Sequence, residues 1–143
     1  MINLRQLLTK ILQSPRVIET GSVRQLRQPN ANYSPYANWN WKIWSNGEYE
    51  LYCELESYTW SLTAQSGNGY YTSFGLDLPD RFAGQKVDYV AINRKQAVSD
   101  NGGNALITFS ISNIYAGSVS FYIYTTLSFS ATFTISVYMR GKF

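Results

Sequence analysis

Residues 101–139 carry no charged side chain, yet this stretch is not continuously apolar. Ile107, Phe109 and Ile111 alternate with Thr108, Ser110 and Ser112, and Val119, Phe121 and Ile123 alternate with Ser120, Tyr122 and Tyr124. Leu127, Phe129, Ala131, Phe133, Ile135, Val137 and Met139 then alternate with Ser and Thr until Tyr138. A period of two sustained this long marks half-buried antiparallel strands with one wet face, because a helical face recurs every three to four residues. The outer faces of these strands bear hydroxyls instead of charges. Uncharged faces and free strand edges invite pairing with other chains, so either the hydroxyls are solvated on a monomer or an oligomer covers part of the surface.

The same period runs upstream. Trp39, Trp41 and Ile43 alternate with Asn40, Lys42 and Trp44, and Leu51, Cys53 and Leu55 alternate with Glu50, Tyr52, Glu54 and Glu56. Between them Ser45-Asn46-Gly47 supplies a tight hairpin turn. Further strands are expected over 58–64, 70–78 and 87–93, separated by Gly67-Asn68-Gly69 and Leu78-Pro79-Asp80, while 99–104 reads as a loop. The expected fold is all-β, an antiparallel, jelly-roll-like β-sandwich with a short N-terminal helix. A chain of 143 residues is one domain's worth and long enough for a real core. It divides into an N-terminal helix and basic arm, 1–28, and a sandwich head, 29–143.

In residues 2–13, Leu4, Leu7, Leu8, Ile11 and Leu12 fall on one helical face, and Pro15 ends the segment. About three helical turns are marginal alone in water. The stripe must therefore dock, either on the chain's own body or on copies of itself or a larger assembly, as in a coiled-coil-like seam. Residues 16–20 add a short strand, and 21–38, with Pro29, Asn30, Asn32, Pro35 and Asn38, reads as a connector. The net charge of +3 sits in this region, where Arg5, Lys10, Arg16, Arg24 and Arg27 face only Glu19. The remaining residues hold seven basic and eight acidic groups. A nucleic-acid surface needs basic groups interleaved with aromatics, and Arg24, Arg27 and Tyr33 are too sparse for one. The arm reads instead as an attachment element whose charge meets an acidic surface on a neighbouring protein.

Several chemistries are excluded outright. Without histidine there is no Ser-His-Asp or Cys-His nucleophile pair and no zincin motif, and the single Cys53 makes neither an internal disulfide nor a thiolate zinc site. No run approaches the roughly 18–20 apolar residues of a membrane span, and no signal peptide is evident. The expectation is a protein made in a cytoplasm, not inserted in a membrane, with no enzyme activity, cofactor or metal. The row Glu50, Glu54 and Glu56 has two chemical readings. Residues two apart on one strand face, as Glu54 and Glu56 are, lie about 7 Å apart, which suits glycoside hydrolysis or a hard cation such as Ca²⁺, but a solvated strand face needs neither and is the simpler reading. Asp100-Asn101-Gly102-Gly103-Asn104 likewise reads as a turn before a cation site.

The chain is rich in aromatics, with 12 Tyr, 7 Phe and 4 Trp. Trp39 and Trp41 read as core residues beside Ile43. Trp44, Tyr52, Trp60, Tyr122 and Tyr124 are candidate ligand-binding residues, with Tyr70 and Tyr71 as further members. Their flat faces and hydrogen-bonding tips suit sugar rings, and Trp44 is expected near Tyr52 across the hairpin.

The segment Trp-Asn-Trp-Lys-Ile-Trp-Ser-Asn-Gly-Glu-Tyr-Glu-Leu-Tyr-Cys-Glu, from Trp39 to Glu54, resembles a hairpin of small proteins and fibre tips encoded by phages and prophages of low-GC Gram-positive bacteria. The opening Met-Ile-Asn-Leu-Arg-Gln-Leu-Leu-Thr-Lys is similar to the N-terminal helix of stand-alone members. Tyr138-Met-Arg-Gly-Lys-Phe143 resembles their closing strand, and Leu78-Pro79-Asp80-Arg81-Phe82 their Phe-Pro-x-x-Phe turn. The resemblance implies a virion structural protein, made in the host bacterium and exposed on the particle. It further implies a homotrimer of β-sandwich heads attached to other virion proteins through the N-terminal segment, with Leu4, Leu7, Leu8, Ile11, Leu12, Arg16, Arg24 and Arg27 as attachment and oligomerisation residues. Members sit on tail fibres, baseplates or head fibres, and the aromatic residues add a host cell-surface glycan as a candidate external partner. The residues alone leave a second reading beside it, a free-standing monomeric carbohydrate-binding module whose helix caps the sandwich.

Overall fold

A computed structural model describes residues 3–28, 35–100 and 107–143. After helix α1, Leu4–Gln13, come β1, Val17–Leu26; β2, Tyr36–Trp44; β3, Glu48–Leu62; β4, Ala64–Ser66; and β5, Gly69–Asp77. A 3-10 turn at Asp80–Phe82 leads to β6, Tyr89–Asp100; β7, Ile107–Tyr115; β8, Ser118–Thr125; and β9, Phe129–Lys142. The strands form two sheets, ordered β1-β2-β3-β9-β6 and β4-β5-β8-β7, in which every ladder is antiparallel.

The pairing explains the architecture. The ribbon β3–β5 passes from one sheet to the other, and the ribbon β8–β9 returns the opposite way. The two pair throughout, β3 with β9 and β5 with β8, after which β6 adds outside β9 and β7 outside β8. This nested pairing of ribbons rolled over two sheets is a jelly-roll-like sandwich. The inner faces bury Trp39, Leu51, Leu55, Phe121, Phe133 and Ile135, each contributing roughly 1.5–3 kcal/mol or more of apolar transfer. The β2–β3 hairpin turns as its sequence demands: Gly47 takes φ +86°, and its N–H donates to the Trp44 carbonyl at 2.9 Å.

Three expected boundaries change. The two strands expected between Leu51 and residue 64 are one strand, β3, whose register with β9 shifts between Leu55 and Tyr58. That bulge inserts a residue without ending the ladder and moves the inward phase from Leu51, Cys53 and Leu55 to Tyr58, Trp60 and Leu62. The short strand at 16–20 and the connector at 21–38 give way to a β1 that runs to Leu26 against β2. Gly21, the first residue of the expected connector, lies under the Trp41 indole, and any Cβ there would collide with the ring. The loop over 99–104 also recedes, since β6 continues through Asp100. Residues 101–104 of that loop, and Pro29, Asn30 and Asn32 of the connector, lie outside the described residues.

Helix α1 opens with a reciprocal capping box. The Gln6 N–H donates to Asn3 Oδ1 at 2.9 Å, and the Asn3 N–H donates to Gln6 Oε1 at 3.1 Å. None of its residues is buried, and Leu4, Leu7, Leu8, Ile11 and Leu12 are all exposed. The stripe does not rest on the chain's own body.

Candidate functional site

The two outer faces of the sandwich differ in chemistry, and alternation is the cause. On the five-stranded sheet the outward positions of β2, β3 and β9 carry charges. Lys42, Glu50 and Arg140 stand opposite one another across three strands, and Glu48 faces Lys142. Opposite charges in register stabilise neighbouring strands by a few tenths of a kcal/mol to about 1 kcal/mol. Within this field lies an aromatic row. Tyr52 and Tyr138 have ring centroids 5.0 Å apart, Tyr89 and Tyr138 6.0 Å, and the Arg140 guanidinium sits 4.8 Å over the Tyr89 ring. The Tyr138 hydroxyl donates to Glu50 at 2.9 Å. Burial first, then this bond to a carboxylate, push that hydroxyl up to about 12.

The four-stranded sheet repeats its hydroxyl pattern outward. Tyr71, Tyr124 and Thr108 form one cross-strand row, Ser73, Tyr122 and Ser110 the next, and Gly75, Ser120 and Asn113 the third. Tyr71, Tyr122 and Tyr124 form a triangle with centroids 5.9, 6.4 and 5.7 Å apart. Beside it opens a polar cavity of about 370 Å³, walled by Gln28 on one side and Asn113 on the other, over Ser73 and Ser120. Gly75 belongs to its floor because any Cβ there would strike the Gln28 amide. Arg27 reaches the rim, where Nη1 donates to the Gly75 carbonyl at 2.7 Å and to Gln28 Oε1 at 3.2 Å.

The candidate aromatic residues therefore fall in separate places. Tyr122 and Tyr124 lie together and are joined by Tyr71, whereas Tyr70, one residue along β5, turns to the inner side with Thr125. Tyr52 lies on the opposite sheet and faces Asn40, not Trp44. Trp44 is half-buried at the end of β2, where it faces Val17 and lines a cleft with Pro15 and Lys142. Trp60 is a core residue, 4% exposed and packed on Tyr58, Phe74 and Phe133. The bulge in β3 is what turns it inward, and its indole N–H has no partner. Trp39 is buried as expected, while Trp41 is half-buried and donates to Glu19 at 3.3 Å.

The acidic row is held within the fold. Glu50 accepts from Tyr138, and Glu56 accepts from Arg24 at 2.6 and 3.0 Å and from Asn38 at 3.3 Å. Among the described residues no group of three or more carboxylate or thiol side chains converges as a cation site. Burial pushes the Cys53 thiol well up, as expected of an inert core cysteine. Of the basic residues, Arg24 also stacks 3.7 Å over the Tyr36 ring, while the Arg16 N–H donates to Ser45 Oγ at 3.1 Å and the Arg16 carbonyl accepts from the Ser45 N–H at 2.8 Å. Arg27 is half-buried, and desolvation lowers its pKa.

Tyr89, Gln28 and Asn113 were not singled out from the sequence. Tyr89 carries a usable signal, since it lies out of phase with inward Val90. Gln28 carries none, because only the return of β1 against the second sheet brings it over Gly75. No protein-family model, no curated protein and no solved structure matches the chain.

Proposed function

We propose that the protein is a bacteriophage virion structural protein, a homotrimeric fibre, tail-tip or head-fibre component that takes part in adhesion to the host cell surface. The observation that carries the reading is α1. Five large apolar side chains lie exposed on one face of a capped helix that buries nothing against its own head. Burying five such side chains is worth on the order of 10 kcal/mol, whereas a helix of this length has little stability of its own. Copies of α1 packed along that stripe supply the burial and leave the heads radiating from a common stalk. The hairpin and closing-strand resemblance supplies the virion context, and several weak head contacts per particle sum to firm attachment by avidity.

The test is sedimentation equilibrium of the full chain at micromolar concentration, beside the double variant Leu8→Glu/Ile11→Glu. A trimer that the variant converts to monomer, with the head's melting temperature kept within about 2 °C, is the expected result. A monomeric wild type sinks the reading and favours the second one, a free-standing carbohydrate-binding module, for which the triangle of Tyr71, Tyr122 and Tyr124 speaks.

A further inference from the structure

We infer that the outer face of the four-stranded sheet is a binding site for an uncharged oligosaccharide, with Tyr71, Tyr122 and Tyr124 as the stacking platform and Gln28, Ser73 and Asn113 as the hydrogen-bonding pocket. The inference deepens the adhesion reading and rests on it for its biological setting, though not for its chemistry.

Three observations carry it. The first is charge. Among the described outward positions of β5, β7 and β8, Asp77 is the sole charged side chain, and it lies at one end, in register with Ser118 and Tyr115. A folded domain keeps such a face soluble with hydroxyls and phenols, and those groups match the hydroxyl-rich, uncharged surface of a neutral sugar. A phosphorylated or carboxylated polymer finds the Asp77 carboxylate and a single guanidinium, whose Nη1 is committed to Gly75 and Gln28. The opposite sheet, with Lys42, Glu50 and Arg140 in register, is the solvated charged face.

The second is the juxtaposition of two kinds of group. Three tyrosine rings offer apolar area with little side-chain entropy to lose, and immediately beside them the amides of Gln28 and Asn113 and the hydroxyl of Ser73 line the cavity of about 370 Å³. Sugars present apolar C–H faces and polar rims, and such ligands are bound where apolar surface meets a few placed polar groups. The third is extent. Ser120, Tyr122 and Tyr124 lie on one face of β8 at every second residue, so pocket and platform span about 14 Å along the strand. That length suits several linked sugar rings.

A glycan array displaying neutral oligosaccharides beside uronate-bearing and phosphate-bearing ones tests this with the full chain. Expected is retention of neutral members, reduced at least tenfold by Tyr122→Ala and by Asn113→Ala, and unchanged by Tyr52→Ala on the opposite sheet. Melting temperature checks the folding of each variant. Titrating the wild type with a retained oligosaccharide should confine amide chemical-shift changes to β5, β7 and β8, independently of any variant. Absence of binding, binding of charged glycans alone, or loss of binding through Tyr52→Ala overturns the site. The outcomes separate from those for the fibre reading: a trimer that binds no sugar sinks the site alone, and a monomer that binds neutral sugar sinks the fibre alone.

Discussion

A tryptophan's role here turns on the parity of its position. Trp60 sits at an outward position if the alternation of Leu51, Cys53 and Leu55 is carried straight on, yet one bulged step in β3 places it among Phe74 and Phe133. Trp60→Ala should therefore lower stability by about 3–5 kcal/mol, as large-to-small changes in a core do, measured by chemical denaturation. A loss below about 1 kcal/mol would place it on the surface. Trp39 was legible because β2 and β3 pair in an unbroken register there, and Cys53 because it precedes the bulge in β3; thiol titration of the native protein should find Cys53 unreactive until denaturant is added. Tyr122 and Tyr124 were legible as an outward pair from their phase with Phe121 and Ile123. Their companion Tyr71 was legible only as a candidate, since its phase against Phe74 says which face it takes but not which strand it will adjoin.

At the scale of elements, β1 is the informative one. It is an edge strand of ten residues, none of them buried, and it is pinned near both ends by ion pairs to other elements: Glu19 to Arg81 at 3.0 Å, and Arg24 to Glu56 at 2.6 Å. The hydrogen bond from Arg81 holds the Glu19 carboxyl below the usual carboxylate range, and the bond from Arg24 does the same for Glu56. Carboxyls depressed in the folded state contribute stability that is complete above their unfolded pKa and is lost as pH falls through the folded value. The wild type should accordingly lose more melting temperature between pH 7 and pH 3 than Glu19→Gln/Glu56→Gln does. Parallel losses would mean that neither pair matters, the usual outcome for exposed ion pairs. Strand existence was legible from period two nearly everywhere, but β1 was shortened to residues 16–20, because Gly21 looks like the start of a connector until Trp41 is seen lying across it.

Across the whole molecule, the class of fold followed from alternation alone, while strand order did not, because pairing partners such as β3 and β9 are set by which ribbons fold over one another. The candidate site was less legible for the same reason: the platform lies on β5 and β8, but the pocket needs β7 and the tail of β1 as well. The same topology bears on how the protein is made. The fourteen-residue β9 follows both β3 and β6 in chain order, yet it sits between them in the sheet, bonded to β3 on one side and β6 on the other. During synthesis the earlier strands emerge while that slot is empty, so the larger sheet exists as β1-β2-β3 and a lone β6 with exposed inner edges, which are prone to pair with neighbouring nascent chains. Closure waits for β9 to leave the ribosome. A frameshift or premature stop ahead of Phe129 would thus remove the strand that joins β6 to β1-β2-β3, and should yield insoluble chains instead of a slightly shorter head.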